Sequence, residues 1–153
     1  MKKLIAIILS AVLLLILPTA CGSDPVSATV VSSAKGSQGS PRVCNVVIRA
    51  EADGGSLADA LKELNDAGEL TYDGYDSDYG FFITSLIGVE ADASANEFFA
   101  VYTTLGEYDG VAYSNAEYGT YFYNGKTLSS ASYGVSGLPM VVGELYVIVL
   151  ESY

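Results

Sequence analysis

The sequence predicts a single α+β domain in which a mixed sheet packs against one main helix. Several runs of strand length are rich in aromatic and β-branched residues. Only one segment repeats its apolar residues with the period of an amphipathic helix. Helices and strands do not alternate as they do in parallel βαβ proteins. The 153 residues are enough for one domain and not comfortably for two.

The charge and the missing histidine exclude several function classes. The chain has 18 acidic and 7 basic residues, and a surface of that sign repels nucleic-acid phosphates. It contains no histidine, which removes Ser-His and Cys-His catalysis together with the commonest transition-metal ligand. A hydrolase built from Asp76, Asp78 and Glu97 is the weakest option, since nothing in the sequence pairs these carboxylates. We therefore expect no nucleic-acid partner, no catalytic residues and no cofactor.

The N-terminus has the pattern of an export signal. After a short basic start, Leu4 to Leu17 give 14 residues that are apolar apart from Ser10. That length suits the core of a signal peptide and is short for a membrane span of about 20 residues. An uncleaved membrane anchor remains an alternative.

The residues after this core resemble a bacterial lipoprotein signal, with the sequence L-P-T-A-C-G-S around Cys21. The resemblance implies that residues 1–20 are removed and that Cys21 carries the lipid. Two or more acyl chains suffice for stable attachment, here to the outer face of the bacterial cell membrane. Pro18 departs from the usual pattern, which has leucine there. Ordinary A-x-A-type cleavage is the alternative.

Residues 21–42 are predicted to be the lipidated cysteine and a flexible tether. Gly22 to Arg42 is rich in Gly, Ser, Ala, Pro and Val, without useful helical or strand periodicity. As a coil it would have a mean end-to-end distance of roughly 25 Å, which would lift the domain off the membrane. A short strand at Val30-Val31 is the alternative.

The folded domain, residues 43–153, is predicted to begin with a strand at Val43–Ala50. Alternation places Cys44 on the more apolar face of this strand. With Cys21 lipidated, Cys44 has no partner within the chain, so we predict a buried, inert thiol. The alternative, a reactive nucleophile, lacks a histidine to activate it.

A helix is predicted from Ser56. Ser56 and Asp59 approximate a capping box, and Gly68 suits the left-handed position that ends a helix. One apolar stripe would pack on the sheet, formed by Leu57, Leu61 and Leu64.

The apolar run Tyr79–Val89 is predicted to be the central strand of the domain. Glycines at both ends and internal Ile, Thr and Phe favour a strand over a helix. It is preceded by a short strand at Leu70–Tyr72 and a loop at Asp73–Asp78. The loop's aspartates, Asp73, Asp76 and Asp78, are candidate ligands for a hard cation. Their spacing is not that of an EF-hand, and a solvated acidic turn is the other interpretation.

The rest of the chain continues the sheet. Glu97–Tyr102 and Leu145–Leu150 have the composition of core strands. Between them, Asn124-Gly125 is a strong signal for a two-residue hairpin turn.

The order of these pieces resembles the C-terminal domain of transcobalamin and intrinsic factor, together with related bacterial domains. The matching segments are Val43–Ala50, Ser56–Lys62, Gly80–Val89, Phe98–Tyr102, Gly134–Ser136 and Gly143–Tyr146. The resemblance covers residues 43–153 and implies a β-grasp-like fold that binds a soluble ligand, with cobalamin or another corrinoid as the implied ligand. This sequence lacks Trp and has a Tyr-rich hairpin region inserted at residues 103–126. It also lacks the separate helical domain that encloses the corrinoid in the vertebrate proteins.

The tyrosines provide a physical reason for binding. Seven of the twelve fall between Tyr102 and Tyr133, and each offers a rigid ring and a hydroxyl at little entropic cost. Tyrosine is also simply common in half-exposed strands, which is the alternative explanation. The candidate ligand-binding residues are Tyr75, Tyr79, Phe81, Tyr108, Tyr113 and Tyr133.

These observations favour a surface lipoprotein that captures a soluble small molecule and delivers it to a membrane transporter. The alternative is a non-enzymatic protein-interaction or adhesion module at the cell surface.

Overall fold

The computed structural model describes residues 26–36 and 42–153. In chain order its strands and its α-helix are β1 (Ala28–Lys35), β2 (Cys44–Ala50), α1 (Leu57–Asp66), β3 (Tyr72–Ser77), β4 (Gly80–Leu86), β5 (Val89–Glu90), β6 (Glu97–Thr103), β7 (Glu107–Tyr108), β8 (Val111–Ala112), β9 (Ser114–Tyr123), β10 (Lys126–Ala131) and β11 (Leu145–Ser152). Two short 3₁₀ helices lie at Ala93–Ala95 and Val135–Gly137. The α+β class predicted from the sequence is confirmed.

The strands form three separate sheets. The main sheet has the order β1-β2-β11-β6-β10-β9, a second sheet has the order β3-β4-β5, and β7 pairs with β8. All pairs among the described strands are antiparallel. The predicted mixed sheet is therefore wrong. A parallel pair needs a crossover connection, but the helix that follows β2 leads into β3 in another sheet.

Helix α1 begins at the predicted capping box. The Ser56 hydroxyl accepts a hydrogen bond from the Asp59 amide at 3.2 Å, and the Asp59 carboxylate accepts one from the Ser56 amide at 2.8 Å. The hydrogen bonds from the Ser56 hydroxyl and amide hold the pKa of Asp59 below its usual value. The helix ends before Gly68, which has the predicted positive φ of 75°. Its leucine stripe is buried, as expected, at Leu57, Leu61 and Leu64.

The main core lies between one face of the large sheet and a layer made of α1 and the three-stranded sheet. Alternate residues of β2 face it, including Cys44, whose predicted burial is confirmed. Tyr146 and Ile148 of β11 are fully buried beside them. Burying an aliphatic side chain such as Ile148 contributes about 1.5–3 kcal/mol. The contact between the large sheet and the layer of α1 and the three-stranded sheet buries many such side chains, so it is a major source of the stability of the fold.

The opposite face of the large sheet carries a smaller apolar cluster. Its buried members are Val47, Tyr102, Leu128, Leu145 and Val147. Tyr121 and Tyr123 of β9 pack against this cluster, and the Tyr121 ring lies 5.8 Å from that of Tyr102. Strand packing therefore explains these three tyrosines, as the alternative interpretation of the Tyr-rich segment expected.

The predicted central strand occupies a different place. Tyr79–Val89 contributes β4, which is the middle strand of the three-stranded sheet and not part of the main sheet. The predicted loop at Asp73–Asp78 is also wrong, because Asp73 to Ser77 belong to β3. Cross-strand contact between Tyr75 and Phe82 stabilises this hairpin despite the low strand propensity of Asp and Gly.

The tether prediction is wrong for Ala28–Lys35. This segment is β1, which pairs with β2 from Ala28 opposite Ala50 to Lys35 opposite Cys44. The alternative of a strand at Val30-Val31 was correct, although the strand is longer. Pairing with β2 holds this segment in a strand, although its composition does not predict one. Of the other predicted tether residues, the structure describes 26, 27, 36 and 42. The rest of the tether lies outside the described residues, as do Cys21 and the signal peptide at 1–20.

The segment from Thr103 to Lys126 contains β7, β8, β9 and the turn that leads into β10. Asn124 and Gly125 have φ values of 46° and 79°, which is the left-handed pair that a type I′ turn requires. The predicted hairpin is thus confirmed.

Candidate functional site

One end of the molecule is built where the β3–β4 turn meets the 3₁₀ helix at Val135–Gly137. The Phe81 amide donates a hydrogen bond to the Ser136 hydroxyl at 2.9 Å. Within the turn, the Ser77 hydroxyl donates to the Gly80 carbonyl at 2.7 Å and accepts from the Tyr79 amide at 3.2 Å. These bonds fix the backbone that carries Tyr79, so its side chain projects from an ordered turn.

Four of the six predicted binding residues meet at this end. The Tyr79 side chain is 96% exposed, and its carbonyl lies beside Gly134. Tyr133, just before Gly134, is also exposed, and its ring lies 5.5 Å from that of Tyr113. We call Tyr79, Phe81, Tyr113 and Tyr133 the aromatic end.

The aromatic end combines exposed and packed rings. Phe81 is half-buried, lies edge-on to Tyr72 at 5.6 Å, and packs against the main core. Tyr113 is also half-buried and packs against this core. Tyr113 therefore supports the ring of Tyr133, and Phe81 attaches the strand that follows Tyr79 to the core.

The other two predicted residues lie elsewhere. Tyr108 is exposed on the β7–β8 hairpin, which a hydrogen bond from the Tyr113 amide to the Gly106 carbonyl closes at 2.8 Å. Tyr75 is exposed on β3 and contacts Phe82, which the sequence prediction missed. Alternation along β4 could have found it, because Phe81 and Phe82 must face opposite sides of the sheet.

A cleft of about 1350 Å³ lies away from the aromatic end, near β5 and the C-terminal half of β11. None of the predicted binding residues lines it. Arg42 and Glu97 form an ion pair there at 3.1 Å, and the Arg42 guanidinium also donates to the Glu90 carbonyl. The Glu97 carboxylate accepts a second hydrogen bond, from the Asp92 amide, at 2.8 Å.

The polar residues of this cleft were missed by the sequence analysis. The local signal was Asp92 followed by Ser94, whose hydroxyl and amide hydrogen-bond the Asp92 carboxylate and lower its pKa. Arg42 and Glu97 are 55 positions apart, so only the fold brings them together. The cleft can receive a polar molecule, but it offers no aromatic platform.

Two isolated polar groups are structural. The Cys44 thiol donates to the Leu86 carbonyl at 3.4 Å, and burial raises its pKa to about 11. The Tyr102 hydroxyl donates to the Glu151 carboxylate at 2.7 Å. Burial and then this carboxylate raise the pKa of Tyr102 to about 12. Neither group is poised for chemistry at neutral pH.

The acidic segment is not the solvated turn that one interpretation expected. Asp73 and Asp76 lie in β3, and only Asp78 lies in the turn that follows. Within residues 26–36 and 42–153, no group of three or more His, Cys, Asp or Glu side chains could hold a metal ion.

Comparison with known proteins gives no family assignment. No protein-family model matches this chain, and no curated protein matches it either. Among the residues that the structure describes, no helix has both the length and the apolar character needed to cross a membrane.

Proposed function

We propose that this protein is a non-enzymatic, lipid-anchored module of the outer cell surface that captures a soluble ligand and delivers it to a membrane transporter. The observation that carries the proposal is the aromatic end, where Tyr79 and Tyr133 present exposed rings from a hydrogen-bonded turn and loop. A preorganised ring surface binds at a low entropic cost. Cys21 supplies the anchor in this proposal.

We also propose a relationship to the β-grasp domains of transcobalamin and intrinsic factor, with a corrinoid as the first candidate ligand. The packing of one helix against one face of the sheet supports this relationship. The same arrangement occurs in unrelated proteins, and a fold alone does not define a ligand.

The proposal is tested by spectral titration of the purified protein with cobalamin and its precursors. We expect a saturable change that weakens at least tenfold when Tyr79 and Tyr133 are both replaced by alanine. Tyr118→Ala is the matched control, because Tyr118 is 76% exposed but lies on β9. No spectral change at millimolar ligand would remove the corrinoid.

Capture of any soluble ligand is tested more broadly by a thermal-shift screen of nutrients against the same variants. Stabilisation of the wild type that is lost in the double variant supports the aromatic end as the site. A ligand that stabilises all three proteins equally would place binding elsewhere. Incorporation of labelled lipid that survives Cys21→Ala would refute the anchor.

A protein-interaction or adhesion module is the second candidate function. It is favoured by exposed rings outside the aromatic end, since Tyr118 and Phe122 are both exposed on β9 at the edge of the main sheet. A cell-surface partner recovered with the wild type and lost after Tyr118→Ser with Phe122→Ser would favour this function over ligand capture.

A further inference from the structure

The outer face of the three-stranded sheet carries a partly exposed aromatic pair. Tyr75 and Phe82 lie opposite each other on β3 and β4, with their ring centroids 5.5 Å apart. They are 56% and 46% exposed, respectively, whereas Ile83, the next residue of β4, is buried in the main core. The two rings therefore form a platform on the side that faces away from the core.

A hollow of about 410 Å³ adjoins this platform. It is lined by Asp73, Gly74, Thr84, Ser85, Glu90 and Ala91. Thr84 follows Phe82 by two residues along the strand, so the two side chains share a face about 7 Å apart. Only glycine fits at position 74, because an added Cβ would lie 2.2 Å from the Phe82 carbonyl oxygen and 2.6 Å from the Phe81 ring.

Two exposed carboxylates, those of Asp73 and Glu90, border the hollow. The ion pairs between described residues involve other carboxylates, namely Glu97, Glu51 and Asp66. Two basic side chains lie near β5. Arg42 contacts the Glu90 backbone carbonyl, and its charge is balanced by Glu97, whereas Lys35 donates a hydrogen bond to the Ile87 carbonyl at 3.3 Å.

The sequence around the platform has one sign of charge. Asp76 and Asp78 add two more carboxylates to the same hairpin, and no Lys or Arg occurs between Lys62 and Lys126. A cation near the platform would meet the negative faces of the aromatic rings and nearby carboxylates at once. The carboxylates of Asp73, Asp76, Asp78 and Glu90 outnumber the charge of Lys35, so charge complementarity favours a cationic occupant.

The shape of the surface selects an extended occupant. The hollow and the larger cleft share Ser85, Glu90 and Ala91 in their walls, so the two concavities lie side by side. Together with the aromatic pair they make a track much longer than one amino-acid side chain. A free organic cation would fill only the hollow.

We propose that this surface docks a Lys- and Arg-bearing segment of a partner polypeptide. One guanidinium stacks on Tyr75 and Phe82, and a second cation lies between Asp73 and Glu90. The inference does not depend on the soluble ligand proposed above, because Tyr75 and Phe82 are not part of the aromatic end.

The test measures binding of a fluorescent eight-residue peptide of alternating Arg and Ser to the full-length protein, by fluorescence anisotropy in non-ionic detergent. The matched probe replaces each Arg by citrulline, which keeps the shape and removes the charge. We expect the Arg peptide to bind at least tenfold more tightly than the citrulline peptide. Equal binding of the two peptides would overturn the proposal.

Protein variants locate the site. Tyr75→Ser with Phe82→Ser, and separately Asp73→Asn with Glu90→Gln, should each weaken peptide binding about tenfold. The charge-matched control is Asp109→Asn with Glu117→Gln, which removes two exposed carboxylates elsewhere. A similar loss in this control would show unspecific attraction and contradict the proposal.

Two further measurements keep the outcome clear. If the platform variants do not fold, amide chemical-shift changes in the wild type should cluster at β3–β5 on peptide addition, and changes confined to other elements would refute the site. Arginine amide that binds as tightly as the peptide would make the occupant a small organic cation. The spectral titration with cobalamin and its precursors should give the same result in the platform variants as in the wild type, which separates the two proposals.

Discussion

The phenol of Tyr146 donates a hydrogen bond to the carbonyl oxygen of Pro139, with 2.6 Å between the two oxygens. The same hydroxyl accepts a hydrogen bond from the Val141 amide at 3.1 Å. Tyr146 is fully buried in β11, so its hydroxyl fastens the segment before the last strand to the core from inside. Both partners, Pro139 and Val141, follow the 3₁₀ helix at Val135–Gly137, which supports the aromatic end.

Tyr146→Phe should therefore destabilise the domain while leaving its shape unchanged. The substitution removes both hydrogen bonds and leaves the Pro139 carbonyl and the Val141 amide without that partner, which costs about 1–3 kcal/mol. Urea unfolding followed by circular dichroism measures the change. Tyr153→Phe is the matched control because Tyr153 is 88% exposed, and equal stability of both variants would contradict the role of the bond.

The stability of the domain should fall in mild alkali. Burial raises the pKa of both Tyr146 and Tyr102 to about 12 in the folded protein, against about 10 for an unfolded tyrosine. Between these two values the folded state holds more protons than the unfolded state, so the free energy of unfolding decreases as the pH rises. The stabilisation that the two protonated tyrosines contribute is fully present below about pH 10 and is lost progressively towards about pH 12.

This pH dependence is checked by urea unfolding at pH 9 and pH 11. Tyr146→Phe and Tyr102→Phe should each have a flatter dependence than the wild type over this interval. An unchanged slope in both variants would assign the alkaline loss to other groups.

At Gly125 in the type I′ turn, the cost of a left-handed backbone conformation can be measured without any steric clash. At Gly125 an added Cβ would meet no atom within 4 Å, but φ is 79°. Gly125→Ala should cost about 1 kcal/mol, entirely from the left-handed backbone. Gly106→Ala is the control, since that position is equally open and lacks a positive φ. Equal free energies of unfolding would argue against the turn.

Alanine substitutions at the aromatic end should divide into two groups. Tyr79→Ala should leave the free energy of unfolding within about 0.5 kcal/mol, because the side chain is almost fully exposed. Phe81→Ala should cost about 1–3 kcal/mol, less than a fully buried Phe, because its ring packs against Tyr72 and the core. Thermal unfolding distinguishes them, and a destabilised Tyr79→Ala would place that ring in the core.

The Cys44 thiol should resist modification in the native protein. It is fully buried, and its pKa of about 11 leaves little thiolate at neutral pH. In Cys21→Ala protein, Ellman's reagent should label no thiol within minutes at pH 8 and one thiol per chain in 6 M guanidinium chloride. Rapid labelling of the folded protein would revive the alternative of a reactive cysteine.

Local signals predicted the elements that depend on local chemistry. The cap at Ser56 and the turn at Asn124-Gly125 each require a few neighbouring residues, and both formed where expected. Strand β1 was missed because its order comes from pairing with β2, not from its own composition. The Asp-rich strand β3 was missed for the same reason.

The candidate site was predictable only in part. Residue type identified the aromatic side chains, and the fold brought Tyr79, Phe81, Tyr113 and Tyr133 to one end. Composition could not tell that Phe81 points inward and Phe82 outward, because that depends on strand register. The Arg42–Glu97 ion pair was invisible, because tertiary structure alone brings these distant residues together.

Strand β1 changes the position of the domain relative to the lipid bilayer. If Cys21 carries the anchor, only residues 22–27 separate it from the first residue of the strand, and six residues reach at most about 20 Å. The folded domain would then lie close to the lipid headgroups instead of being separated from them by a long flexible tether. Ala28 is at the Ala50 end of β2, whereas Gly36 and Val43, which line the cleft, are at the Cys44 end. The part of the cleft that Gly36 and Val43 line would thus lie at the end of β1 that is farther from the lipid anchor.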